Sequence, residues 1–330
     1  MLLSILTATF NRHHLLKELA ESIVQQRCPD WEWLIIDNGS TDKTKELIAS
    51  YLPHFPEKIR YFQLDQNTGG PAAAIQKFIP YLRGDLMYTV GDDDILLPEM
   101  VGTIIKAFEK NPTLALVYGN YWMIMIEEER VITKHLQYPP DYQGVESRPM
   151  TPAEFVTRMT GGRGAIAGHV AVFKKAVYEE LGGFTSEYPR IIDQDLWFRL
   201  GTKYNVTYIP QPLVIARKFN VSANAVRYEE GFDETVRYWR TMYEETTDAN
   251  LRKALEGLFF YLELRAITYH LQSSRNYKFF QKHARRVVRC NGFWKRPRAY
   301  VFPLLSLFPE HALFQLLEVK NKINRFLYAT

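Results

Sequence analysis

The first hundred residues alternate short apolar runs with amphipathic stretches, and this alternation restricts the fold more than any other feature of the chain. Runs at 2–7, 33–36, 61–64 and 86–90 are continuous and rich in strand formers, the pattern of strands buried on both faces. Helical periodicities lie between them. At 13–26, Leu15, Leu16, Leu19, Ile23 and Val24 share one face; 41–51 is helical, and 70–81 is a helix interrupted by Pro80. Strands that alternate with helices in this way predict an α/β fold, with a mostly parallel central sheet covered by helices on both faces.

In such a sheet the ligand crevice lies beyond the carboxyl ends of the strands. Those ends carry Thr7-Ala8-Thr9, Asp37-Asn38-Gly39-Ser40, Asn67-Thr68-Gly69-Gly70 and Gly91-Asp92-Asp93-Asp94. The middle two also suit ordinary turns, since Asx residues and glycine are what turns require. The acidic run is costlier. Three successive carboxylates at the end of a buried strand repel one another and lose hydration, so they call for a cation or another partner. Aspartate oxygens suit Mg²⁺ or Mn²⁺, and Mg²⁺ takes one or two protein carboxylates and fills its other positions with water and substrate phosphates. The run therefore fits a nucleoside-diphosphate site. It equally fits a solvated turn capping the next helix, with Asp94 as N-cap and Pro98 in the first turn. No Gly-x-x-x-x-Gly-Lys-Ser sequence occurs, and no Gly-x-Gly-x-x-Gly follows the first strand, which argues against a P-loop ATPase and a dehydrogenase.

Further along, Met100, Ile104, Ile105 and Phe108 mark a helix over 98–111, followed by strands at 114–118 and 121–126 and a loop-rich stretch over 127–152. Cys28 and Cys290 stand far apart without metal-ligand spacing, so a reducing, cytoplasmic setting fits. The opening run lacks a basic leader and reads as a strand, not a signal peptide. No apolar stretch reaches the roughly 20 residues that span a bilayer. From 226 onward the pattern is helical. Residues 251–330 hold 15 Lys or Arg against 4 Asp or Glu, interleaved with aromatics, and 311–328 is amphipathic. Such a tail suits an anionic membrane surface, which would place the protein peripherally on the inner face of the plasma membrane. It also suits a helical cap packed on the catalytic part or on a second copy in a homodimer. Nucleic acid is not expected, because no recognised binding module accompanies the charge.

Six segments follow one another in a fixed order: Ser4-Ile5-Leu6-Thr7-Ala8-Thr9-Phe10-Asn11-Arg12, Ile36-Asp37-Asn38-Gly39-Ser40-Thr41-Asp42, Asn67-Thr68-Gly69-Gly70, Gly91-Asp92-Asp93-Asp94, Leu181-Gly182-Gly183-Phe184 and Asp193-Gln194-Asp195-Leu196-Trp197-Phe198-Arg199-Leu200. In this the chain resembles the family 2 glycosyltransferases, GT-A-fold enzymes that use nucleotide-activated sugars. The resemblance covers about the first two thirds. It implies a Rossmann-like catalytic domain over 1–220, with a nucleotide half at 1–97 and an acceptor half at 98–220, ahead of a helical region at 221–330. Thr9, with its neighbours Thr7, Ala8 and Asn11, would line the nucleotide pocket beside Asn67 and Gly70. Asp37 would hydrogen-bond the base, most familiarly uracil. Asp92 would lie near the ribose or donor sugar, and Asp93 would ligate Mn²⁺ or Mg²⁺ with Asp94 behind it. Asp193 would be the general base on the acceptor hydroxyl.

His169 falls on the acceptor side or is a satisfied core residue, Asp195 is an acceptor-side group or a helix cap, and Trp197 belongs to the core. The implied activity is inverting transfer from a UDP-sugar to a saccharide acceptor, lipid-linked, in surface polysaccharide assembly such as capsule or O-antigen. A nucleotidyltransferase or a silent sugar-nucleotide-binding protein are the alternatives. The chain departs from the family pattern at several places. Ile75, after Ala72, Ala73 and Ala74, stands where Arg is common; Ile192 and Gly91 replace acidic residues; and Lys218-Phe219-Asn220 follows Arg217 where His is common.

Overall fold

The computed structural model describes residues 1–272, apart from 128–129, 139–141, 143, 145–146, 161–165, 167, 185–186, 189–190 and 220–223, together with 281, 282 and 285. The first strands are β1 (Leu3–Thr9), β2 (Trp31–Asp37), β3 (Ile59–Gln63) and β4 (Leu86–Thr89). They are joined by α1 (His13–Val24), α2 (Thr44–Tyr51) and α3 (Pro71–Phe78). Every residue of β2 is buried, its apolar run at 33–36 together with Glu32 and Asp37 on either side. On α1 the buried face is Leu15, Leu16, Leu19, Ala20, Ser22 and Ile23, so the helical spacing reads out directly as packing. Pro80 lies in a 3-10 turn over Ile79–Tyr81 that follows α3, because proline supplies no N–H to continue the helix.

Beyond β4 come β5 (Ile95–Leu96), α4 (Met100–Lys110), β6 (Leu114–Glu127), β7 (Arg130–Leu136), β8 (Ala171–Lys174), α6 (Lys175–Glu180), α7 (Ile192–Lys203) and β9 (Asn205–Phe219), with α5 (Pro152–Thr160) between β7 and β8. Among the described residues the strands form one sheet in the order β3-β2-β1-β4-β8-β6-β9-β5, with β7 pairing β6. It is parallel through β3, β2, β1 and β4, and again between β6 and β9; β8, β5 and β7 enter antiparallel. The parallel register puts Thr9 beside Asp37 and Asp37 beside Gln63, so the polar tips share one edge.

Three local expectations give way. The stretch at 114–126 is one long strand, not two, because Gly119 and Asn120 are absorbed as irregularities in its pairing with β9. Its partner β7 arises inside the stretch read as loop, where exposed residues hide the alternation of a strand. Nor does Asp94 cap a helix. β5 intervenes, and α4 starts at Met100 with Glu99 as its N-cap residue and no side-chain cap.

The chain divides into two compact units, 1–151 with 165–221, and 152–164 with 222–330. The second contains α5, α8 (Asn224–Glu245) and α9 (Ala249–Gln272), with α5 and α8 both packing along α9. Tyr243 of α8 meets Phe259 edge-on at 5.7 Å, and the Arg252 guanidinium lies 4.6 Å over the Tyr243 ring. Beyond 272 the basic tail lies outside the described residues, apart from 281, 282 and 285, and with it the membrane reading of 278–330 and that part of the C-terminal helices on which the homodimer reading rests. Among the described residues no helix is long and apolar enough to cross a membrane.

Candidate active site

The acidic turn after β4 is held by the tip of β1. Thr9 Oγ1 donates to Asp92 Oδ2 at 2.8 Å, and one nitrogen of Arg12, NH1, donates to both Asp92 Oδ1 (3.0 Å) and Asp93 Oδ2 (3.1 Å). Asn11 makes this approach possible. It adopts φ 55°, a left-handed conformation that asparagine tolerates, while its backbone N–H donates to Ser40 Oγ and its side-chain oxygen accepts from Thr41 N–H. Gly91 leaves room for the acidic side chains. A Cβ there would stand 2.7 Å from Asp93 Oδ1, so the carboxylate would have to move.

Behind this turn, Asp94 is buried with Oδ2 3.2 Å from His169 Nδ1, while its Oδ1 has no hydrogen-bond partner among the described residues. Tyr88 and Tyr121 flank the same site. Burial, and then the charge of Asp94, push both phenols above their ordinary range. Tyr88 donates its hydroxyl to the His169 carbonyl at 2.6 Å, and Tyr121 packs against the His169 ring with centroids 4.9 Å apart. Burial alone would lower the His169 pKa. The hydrogen bond to Asp94 and the charges of Asp94, Asp93 and Asp193 outweigh it and leave the imidazole raised.

Asp193 reaches the same place from the first turn of α7. A Cβ on Gly168 would lie 3.6 Å from its Oδ2, which puts the carboxylate directly beside the His169 segment. Its Oδ1 accepts from Gln194 N–H at 2.8 Å. The residue stays open to solvent, yet protein crowds the carboxyl. This burial raises its pKa against the lowering pull of the backbone N–H groups and of His169. Asp93 is raised too, first by burial and then by Asp94 and Asp92, with Arg12 only partly offsetting them. The turn thus carries more negative charge than its protein partners neutralise.

Among the described residues no group of three or more His, Cys, Asp or Glu side chains is gathered as a metal cage. A cation that also binds substrate phosphates needs fewer. Asp93, partly exposed, and the orphan oxygen of Asp94 fit that smaller donor set.

Other residues expected at the site are placed differently. Thr7 is fully buried and its hydroxyl accepts from Trp33 Nε1 at 3.0 Å, so its side chain serves the core. Asp37 is also fully buried: Oδ1 accepts from Ser40 N–H at 2.7 Å and Oδ2 from the Tyr61 hydroxyl. Asn67 is exposed, with Oδ1 accepting from Gly69 N–H and Asn38 Nδ2. Ala8 and Gly70 are half-buried, Gly70 in extended backbone at the start of α3.

Asp195 is buried and grips Arg199 through two nitrogens, at 2.9 and 2.6 Å, while Arg199 donates to the Leu181 and Gly183 carbonyls. It braces that turn from the first turn of α7, whose N-cap residue is Ile191, so Asp195 is not the cap itself. Trp197 is buried as expected.

Arg217 was quoted above only as a landmark. Its Nε donates to the Asp93 carbonyl and its NH1 to Glu18 at 2.8 Å, so β9 holds the acidic turn from a second side. Arg12 likewise gave no signal beyond its place after Asn11. Only the fold shows that it turns back onto the acids.

The glycosyl transferase family 2 profile matches residues 4–182, more than half of the chain and all of the acidic turn. The chain belongs to glycosyl transferase family 2. Along nearly its whole length (96%) it is similar to a GalNAc(5)-diNAcBac-PP-undecaprenol beta-1,3-glucosyltransferase of Campylobacter jejuni, 24% identical over 326 residues and covering 97% of that protein. A longer relative, an uncharacterized glycosyltransferase of Rickettsia felis, is 22% identical over 268 residues, 79% of this chain; the match takes in 41% of the relative's own length.

Among solved structures, S. aureus TarS 1–349 in complex with UDP-GlcNAc superposes with a TM-score of 0.62 at 14% identity, over 97% of this chain and 92% of that one. A mannosyltransferase of Pyrobaculum calidifontis, in complex with GDP-Man and Mn²⁺, does so with a TM-score of 0.55 at 16% identity, over 99% and 87%. These two share the fold with this family 2 glycosyltransferase.

Proposed function

We propose that this glycosyltransferase moves one sugar, with inversion, from a UDP-sugar to a saccharide acceptor carried on a lipid, in surface polysaccharide assembly. The observation that carries the reading is the meeting of Asp93, Asp94, His169 and Asp193 at the carboxyl edge of the sheet. The Campylobacter relative supports a lipid-linked acceptor, because its name includes undecaprenol and this chain matches it nearly end to end. A UDP-sugar complex of the TarS fold supports the donor class.

In this reading the acceptor hydroxyl oxygen bonds to the anomeric carbon as the bond from that carbon to the phosphate oxygen breaks. The proton passes to Asp193, and the electron pair leaves with the nucleoside diphosphate. A carboxylate whose pKa is raised holds a proton more tightly once it has taken it, which suits a base at this step. Asp93, with Asp94 behind it, would hold Mg²⁺ or Mn²⁺; when bound, such an ion stabilises the charge of the departing diphosphate. Thr9 and Arg12 keep Asp92 and Asp93 in register with the β1 tip, where the nucleotide would lie. His169 holds Asp94 on one side and borders Asp193 on the other.

Transfer measured with purified protein, a panel of UDP- and GDP-sugars and a prenyl-diphosphate saccharide tests the reading. Asp193→Asn should keep donor binding while losing about 10² to 10⁴ in kcat. Donor binding with undiminished transfer removes Asp193 as the base, and no binding of any nucleotide sugar removes the site.

A further inference from the structure

Arg12 stands where a metal ion would be expected to act, and its contacts describe a competition. A single nitrogen of its guanidinium is hydrogen-bonded to Asp92 and Asp93 together, at 3.0 and 3.1 Å, across a turn whose carboxylates otherwise repel. The two acids are not held alike. Asp92 is buried and its second oxygen is fixed by Thr9, whereas Asp93 is more exposed and Arg12 is its one ion-pair partner among the described residues. Arg12 is itself nearly half exposed, so it can leave at little cost. Elsewhere at the nucleotide edge the first turn of α3 offers no cation, since it reads Pro71, Ala72, Ala73, Ala74 and its next residue, Ile75, is buried.

We infer that Arg12 is an exchangeable resident cation: it neutralises Asp93 while no divalent ion is bound, gives up that carboxylate when one enters, and then places its guanidinium on the donor diphosphate. The inference rests on the donor reading above and adds to it a residue with two successive partners. Electrostatics gives the direction of each effect. Loss of Arg12 removes a competitor for Asp93, so a divalent ion alone should bind more tightly. The same loss removes a charge-assisted donor to phosphate, so nucleoside diphosphate should bind more weakly once the ion is present. A residue that only braced the turn would weaken both.

The test is calorimetric titration of the full chain with Mn²⁺ alone, then with UDP or GDP at saturating Mn²⁺, for wild type, Arg12→Gln and Arg12→Lys. For Arg12→Gln the expected result is Mn²⁺ affinity raised about two- to fivefold, as for release of a half-exposed ion pair, and nucleoside-diphosphate affinity lowered about tenfold. Arg12→Lys keeps the charge and should fall between wild type and Gln in both. Unchanged or weaker Mn²⁺ binding by Arg12→Gln overturns the exchange while leaving the donor site standing. Tighter Mn²⁺ binding with unchanged nucleotide affinity overturns the hand-over to phosphate. Should wild type bind neither ion nor nucleotide, the donor reading falls and this inference with it. Circular dichroism of each variant identifies one that has not folded, and in that case wild-type Mn²⁺ affinity in rising NaCl decides. Salt loosens the competing Arg12 pair as well as the metal, so the exchange predicts a shallower loss of Mn²⁺ affinity for wild type than for whichever variant folds, and an equal or steeper loss opposes it.

Discussion

The turn that ends β2 and the turn that follows β4 are both built from aspartate, glycine and a neighbouring polar residue, and they lie on the same edge of the sheet. They treat their polar atoms in opposite ways. At the β2 tip, Asp37 spends its oxygens on Ser40 N–H and the Tyr61 hydroxyl. Next to it Asn38 accepts from Thr68 N–H and hydroxyl at 3.0 and 3.1 Å and donates to Asn67. Beyond β4, Asp92 and Asp93 share a single bridging guanidinium, Asp94 keeps a buried oxygen with no hydrogen-bond partner among the described residues, and Asp93 is pushed toward its neutral form. A satisfied turn stabilises the fold, while an unsatisfied one stores a demand for a ligand. The first positions the second, because Asn11 links the β1 tip to Ser40 and Thr41 just past Asp37.

The largest effect that could break this contrast comes from Asp93→Asn. Removal of the charge should cost at least about a hundredfold in kcat, the scale of losing a main electrostatic group at a site. In metal-free buffer the same change should raise Tm by about 2–4 °C, since it removes a carboxylate that burial and like charges disfavour. A variant that lost activity and stability together would make this turn as structural as its neighbour. Asp37→Ala should do the reverse. It leaves Ser40 N–H and the Tyr61 hydroxyl without their acceptor, at a cost of roughly 2–4 kcal/mol by chemical denaturation. If Asp37→Ala proved as stable as wild type but failed to bind nucleotide, the β2 tip would be a base contact after all.

Much of this contrast was hidden in the sequence. Strand–helix alternation to residue 90 is plain because burial on both faces leaves continuous apolar runs, and the observed β1 to β4 follow them closely. The acidic run announces its own cost, and Asp193 follows from family resemblance. Motif matching could not separate Asp37 from Asp93. Both are aspartates at strand ends, and only the tertiary positions of Tyr61 and Arg12 decide which is already satisfied. Nor could motif matching show that Asp195 is already paired: its partner Arg199 is four residues on, a helical neighbour that brings the charge pair together. Arg217 is beyond the reach of local reading, since its bond to the Asp93 carbonyl spans 124 residues.

The smallest effect sharpens the comparison most, because it concerns sign. Asp42, just beyond the β2 tip, accepts from His13 N–H at 3.1 Å and from Thr44 N–H and hydroxyl at 3.0 and 2.6 Å, and pairs with His13 Nδ1 at 3.0 Å. Partial burial pushes its pKa up, but these hydrogen bonds win and hold it at about 2, against an ordinary 3.8. A depressed folded pKa contributes stability that is present above the unfolded value and is lost as pH falls toward about 2. Asp93 is shifted the other way. Its raised folded pKa penalises the fold above the unfolded value, and the penalty fades as the carboxyl takes its proton in acid. Asp42→Asn should therefore be less stable than wild type at pH 7, by about 1 kcal/mol once solvent screening is allowed for. Asp93→Asn should be more stable at the same pH. Both differences should shrink as metal-free protein is titrated from pH 6 toward pH 2.5, one rising toward zero and the other falling to it. Parallel curves for the two variants would mean that the two turns hold their charge in the same way.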